Sequence, residues 1–141
     1  MPAISFDSQQ ADYILDKIAL KEKWLHTVAK KEDYYIKSLS FSFLSDDGLL
    51  AINKQFLQHD YYTDIITFDQ GTTDTLVVGD IFISIDRIKD NAKEFNTSFE
   101  HELIRVMSHG LFHLCGYGDK TEEEASLMRE KEESAIDLYP F

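Results

Sequence analysis

The sequence predicts a single α+β domain, and three observations carry that prediction. Two-residue alternation over Tyr35–Phe43 marks a strand, and apolar residues spaced by three and four over Ser98–Leu114 mark a helix. Both periods recur along 141 residues with no internal repeat, low-complexity tract or linker between them. With 43% hydrophobic residues the chain can build a core without disulfide support. Its one cysteine, Cys115, excludes an intrachain disulfide and fits a reducing compartment. No apolar run approaches the ~20 residues that span a bilayer, and the N-terminus lacks a basic segment followed by an apolar one, so a cytoplasmic location is expected.

Residues Ser8–Lys30 read as a helix, with Ile14, Ile18, Leu25 and Val28 as a broken apolar stripe. Tyr35–Phe43 reads as a half-buried strand. Asp46 or Asp47 is expected to cap a helix reaching about His59, with Leu50, Asn53 and Leu57 at helical spacing. Thr63–Phe68 is a second strand, 70–74 a turn, and Leu76–Ile85 a third, more apolar strand containing Gly79 and Asp80. Asp86 starts a short helix through Phe95. In the Ser98–Leu114 helix, Phe99, Leu103, Val106, Met107, Leu111 and Leu114 would bury most of its surface against a sheet. Thr121 with Glu124 has the form of a capping box opening a last helix.

The chemistry concentrates between His109 and Asp119. His109 and His113 stand four residues apart, so on a helix they occupy one face and can close on one ion at ~2.0–2.1 Å. Gly116 can adopt the left-handed conformation that ends the helix, letting the chain return the Asp119 carboxylate to the same ion. Two imidazoles and one carboxylate leave a fourth position open, which is the catalytic arrangement for zinc. Rival readings exist for each part: a chance histidine pair, ordinary glycine capping, and Asp119 capping the next helix. Cys115 is either a fourth ligand or a small buried thiol. Arg105, one turn before His109, can contact phosphate or pair with Glu102. The formal net charge of −12 gives no general attraction to nucleic acid, so RNA binding would require a local positive patch or a partner already holding the RNA. Lys21, Lys23, Lys30, Lys31 and Lys54 are either that patch or dispersed solvated lysines.

The run from Val106 through His109, His113 and Gly116 to Asp119 resembles the signature of the YbeY family, metal-dependent endoribonucleases of ribosomal RNA maturation. Ile52–Phe56, Asp60–Phe68 and Gly79–Ile81 are similar to that family's asparagine-containing helix, Thr-Asp strand and Gly-Asp-Ile strand. The resemblance implies a mixed β-sheet packed by helices, a zincin-like metal-hydrolase fold over residues 1–141. It also implies one zinc or other divalent transition-metal ion on His109, His113 and Asp119, and single-strand-specific cleavage in ribosomal RNA maturation and ribosome quality control. The implied partners are ribosomal RNA and the ribosome or a ribosome-associated protein. Asp64 and Asp80 are candidate catalytic carboxylates, each with a rival role tying down a strand or helix end. Two departures stand out. Asp119 replaces the usual third histidine and should make a bound water less acidic, and Leu57 occupies the place of a customary arginine. The second departure keeps open a metal-containing ribosome assembly factor with weak or no turnover. A metallopeptidase ranks lower, because the position after His109 that would carry a general-base glutamate is Gly110.

Overall fold

A computed structural model describes residues 2–8, 11, 13–71 and 75–141. Its element order is β1 (Ile4–Asp7), α1 (Ile18–Lys31), β2 (Tyr35–Leu44), α2 (Asp46–Leu57), β3 (Ile65–Asp69), β4 (Leu76–Ser84), α3 (Ile85–Glu94), α4 (Phe99–Leu114) and α5 (Glu122–Asp137). The four strands form one mixed sheet in the order β1-β2-β4-β3. β1 and β4 run parallel to β2, and β3 runs antiparallel to β4 at the edge. The mixed α+β architecture is as predicted.

Alternation along β4 divides the two faces. Val77, Ile81 and Ile83 enter the main core with Leu25 and Val28 of α1 and Leu103, Met107 and Leu111 of α4. On the other face Leu49 of α2 packs with Leu44 and Ile66, beside Phe68 and Phe82. Helix α4 lies close against the sheet at Gly110. A Cβ there would come within 2.9 Å of Ile65 Cδ1 and 3.0 Å of Ile81 Cδ1. The small residue therefore sets how deeply the histidine-bearing helix seats on β3 and β4, since cores pack without spare volume.

Several boundaries move, for identifiable reasons. The first helix starts at Ile18 rather than Ser8, and Lys17 before it has a left-handed backbone with φ 50°. In the preceding stretch Leu15 is buried, and Tyr13 packs on Phe43 and Phe99 at centroid distances of 5.8 and 5.4 Å. Alternate residues face inward there, while Ile14 of the expected stripe is exposed. Strand β1 was not anticipated, because only Ile4 of its four residues is buried and pairing with β2 defines it. In β2 the register shifts between Ile36 and Ser38, so Ile36 is buried and Tyr35 exposed, against the predicted phase. Serines, not aspartates, cap α2 and α3. Ser45 accepts from Gly48 N–H and Ser84 from Arg87 N–H, leaving Asp46, Asp47 and Asp86 in the first turns. Helix α4 begins one residue after the predicted Ser98 start, with Ser98 as its cap accepting from His101 N–H, and the Thr121–Glu124 capping box is as predicted. The turn expected at 70–74 lies partly outside the described residues. Among the described residues no helix is long and apolar enough to cross a membrane.

Candidate metal centre

Helix α4 sets the two histidines one turn apart and then stops. Tyr117 N–H donates to Phe112 C=O and Gly116 N–H to His113 C=O, with Gly116 at φ 97°. This pair of bonds around a left-handed residue is the Schellman ending, which glycine adopts without a Cβ penalty. The chain reverses and brings Asp119 back over the helix. Its Oδ2 lies 3.2 Å from His109 Nε2 and 3.3 Å from His113 Nε2, while the two Nε2 atoms are 2.9 Å apart. His109, His113 and Asp119 form a group of possible metal-binding atoms as predicted from spacing.

Both imidazoles are held from behind. His113 Nδ1 meets Tyr117 C=O at 2.8 Å, and His109 Nδ1 meets Glu132 Oε2 at 2.6 Å. A carbonyl and a carboxylate only accept, so each Nδ1 carries a proton. Each Nε2 is then available on the inner side. Such outer hydrogen bonds fix tautomer and ring orientation and raise the basicity of ligating histidines. Burial by itself depresses the His109 pKa, but the Glu132 hydrogen bond and charge, with Asp119 and Asp64, outweigh it and raise the imidazole overall.

The donor set fits a small divalent ion. Tetrahedral geometry with bonds of ~2.0–2.1 Å needs donor separations of about 3.3 Å. Two of the three separations already match, and the pair at 2.9 Å has to open by only a few tenths of an ångström. Cys115 takes no part. Its thiol is buried in the core, and burial, with Glu32 and Asp69 nearby, pushes its pKa up to about 12. The Asp119 side chain is 41% exposed, so the group opens to solvent at that side.

The other sequence-predicted residues divide. Asp64, just before β3, interacts electrostatically with His109 and Arg105, and its pKa is raised chiefly by burial although both cations oppose the shift. Asp80 is not brought to the group. Gly79 and Ile81 face α4, which leaves Asp80 on the opposite sheet face, where it accepts from Ser40 Oγ and Gln70 Nε2. Arg105 takes the pairing reading. Nε and Nη2 donate to the two oxygens of Glu102, and Nη1 donates to Glu132 Oε1 at 3.2 Å. The basic patch is weakened by Lys21, which is fully buried and donates to Asp16 C=O, Glu100 and Tyr139. Glu132 is the residue that sequence reasoning missed. It sat within an acidic run on α5, and no periodicity marked it as the one carboxylate turned inward under α4.

The family model described as Endoribonuclease YbeY matches residues 4–139. An Endoribonuclease YbeY of Cytophaga hutchinsonii is 49% identical over 98% of this chain and 96% of its own length. One from Christiangramia forsetii is 46% identical over 96% of this chain and 94% of its own. A solution structure from Thermotoga maritima superposes with a TM-score of 0.63 at 29% identity, covering 96% of this chain and 88% of that one.

Proposed function

The chain belongs to the YbeY family, and from that premise we propose that it is a metal-dependent endoribonuclease cleaving single-stranded RNA in ribosomal RNA maturation and ribosome quality control. One observation carries the reading: two Nε2 atoms and a carboxylate oxygen converge, with both Nδ1 atoms tied to acceptors behind them. We assign His109, His113 and Asp119 as the ligands and zinc as the ion, and read residues 1–141 as one domain of zincin-like type. A divalent ion held there supplies Lewis acidity toward a phosphodiester. Asp64 is the carboxylate we assign to proton transfer, because burial shifts its pKa toward neutrality and it lies within electrostatic reach of His109. Arg105 acts on the site through Glu132 rather than on phosphate. Asp80 is left to fastening the sheet. The packing at Gly110 supports RNA over peptide cleavage. A glutamate there would have to enter the interface with Ile65 and Ile81.

Purified wild type and His113→Ala are to be compared on single-stranded and structured ribosomal RNA fragments. Cleavage by wild type and its loss in the variant are expected, and equal cleavage by both overturns the assignment. Metal analysis of untagged protein tests zinc against nickel, iron, cobalt or manganese. The net charge of −12 supports RNA reached on the ribosome or through a ribosome-associated protein, and the lone thiol supports a cytoplasmic setting.

The second reading, an assembly factor with little turnover, is favoured by one pair of facts. Leu57 stands where the arginine is expected, and Arg105 is already engaged by two carboxylates. It requires that a folded metal-site variant still rescue ribosomal RNA processing in cells lacking the native protein. The nuclease reading requires that it not do so.

A further inference from the structure

We propose that Tyr61 and Tyr62, on the segment joining α2 to β3, form a base-stacking platform that holds unpaired RNA bases beside the metal centre. The proposal rests on the endoribonuclease reading for its ligand and adds to it how that ligand is gripped.

Position comes first. The two tyrosines precede Asp64 by three and two residues, so their Cα atoms lie within about 11 Å of its own. Ile65, the residue after Asp64, packs against α4 at Gly110, the position following His109. The segment is also anchored. Buried Asn53 of α2 donates from Nδ2 to Tyr61 C=O at 2.9 Å, fixing the backbone that carries the rings.

The rings are exposed and backed. Tyr61 is 56% exposed and stacks on His59, with centroids 5.1 Å apart and planes 20° apart, while its hydroxyl and His59 Nδ1 are 3.0 Å apart. Tyr62 is 48% exposed, has the Arg87 guanidinium 5.4 Å from its ring centroid and donates to Asp47 Oδ1 at 3.0 Å. An aromatic supported on one side loses little conformational freedom when a base lands on the other. Two adjacent aromatic rings, each held in place and each about half exposed, offer a contiguous surface for a partner. Base-on-aromatic stacking is the general means of binding unpaired strands without regard to sequence.

Charge bears on the mode of grip. The neighbouring cations are already engaged: Lys54 with Asp60 at 3.3 Å, Arg87 with Asp46 at 3.1 Å, and Arg105 with Glu102 and Glu132. Phosphate contacts from these groups would require breaking existing pairs. With these cations paired and a net charge of −12 that repels the phosphates, the grip on RNA here falls to its bases, which also selects single strands over duplex, whose bases are already stacked.

The test is binding of a fluorescently labelled oligouridylate of about ten nucleotides, an abasic strand of equal length and a blunt RNA duplex, with metal stripped by a chelator so that no cleavage intervenes. Stacking contributes ~1–3 kcal/mol per base, so Tyr61→Ala should weaken oligouridylate binding at least about fivefold. Tyr61→Phe should retain it, and Tyr61→Leu, which keeps apolar bulk without an aromatic face, should not. The abasic strand and the duplex should bind weakly to every form, and binding should show a shallow salt dependence. Equal affinity of wild type and Tyr61→Leu, equal binding of the abasic strand, or no oligouridylate binding by wild type overturns the proposal. Cleavage separates the two readings. Tyrosine-dependent binding without metal-dependent cleavage leaves the platform standing and removes the nuclease. Cleavage that survives Tyr61→Leu at unchanged KM does the reverse.

Discussion

Replacing Glu132 by glutamine removes one charge while keeping nearly the same shape, and its effect can be worked out from the two partners of that carboxylate. In the native chain Oε2 meets His109 Nδ1 at 2.6 Å and Oε1 accepts from Arg105 Nη1 at 3.2 Å. Glutamine has one oxygen and one NH2 group. If the oxygen serves His109, the NH2 faces a guanidinium donor, and if it serves Arg105, the NH2 faces the imidazole N–H. Arg105 retains Glu102 and some access to water, so the first arrangement is the cheaper. His109 then keeps its orientation and loses the carboxylate that raises its basicity. Outer-partner changes of this kind weaken metal binding by about 10–100-fold, roughly 1.4–2.7 kcal/mol. The mispaired amide should cost the apo fold about 1–3 kcal/mol. Metal affinity should also respond to pH. The raised His109 pKa means that protons compete with metal at higher pH in wild type than in the variant, whose imidazole lacks the Glu132 charge. The affinity gap should therefore be widest at mildly alkaline pH and narrow as the pH falls through the wild-type His109 pKa. Chelator competition at several pH values, with urea unfolding of the apo proteins, measures both. Native metal affinity in Glu132→Gln, or a gap that does not change with pH, would refute the assignment of Glu132 as the group that positions and polarises His109.

The same geometry sets three further outcomes. Arg105→Ala leaves Glu102 and Glu132, both nearly fully buried, without their shared cation. It should lose about 3 kcal/mol of stability, the lower part of the range for broken buried pairs because Arg105 is partly exposed, and an unchanged urea midpoint would return the arginine to phosphate binding. Asp64→Asn should stabilise the apo protein at neutral pH. Because burial raises the native Asp64 pKa, wild type loses stability as pH climbs from the unfolded carboxylate range through that raised value, so the two unfolding curves should coincide in acid and separate above it. The same variant should lower kcat, and no kcat change would remove Asp64 from proton transfer. Native Cys115 should resist thiol reagents at pH 8 until the chain unfolds, given its burial and raised pKa, and Cys115→Ala should retain full metal occupancy. Loss of metal in that variant would reinstate the thiol as a ligand.

Much of the site was legible because it is local. His109 and His113 belong to one helix, the Gly116 turn rests on one backbone conformation, and Asp119 arrives six residues after His113. Spacing within such a segment is read directly from the helical period. The serine caps at Ser45 and Ser84 are equally local, but Asp46, Asp47 and Asp86 just after them are residues of capping type too. Only the three-dimensional packing separates a capping residue from one in the first turn.

What the sequence by itself determined is therefore the alternation that marks β2, the apolar run that makes β4, the apolar face that seats α4, the capping box that opens α5 and the ligand spacing. Each depends on interactions within a few residues along one element. Tertiary structure alone decided the rest. It paired Ile4–Asp7 with β2, kept the residues before Ile18 out of α1, placed Asp64 near His109 and sent Asp80 to the far face of the sheet. It also turned Glu132 of α5 under His109, 23 residues away in the chain. These are pairings between elements, fixed by which faces bury together, and no period within a single segment encodes which of several carboxylates will meet a given imidazole.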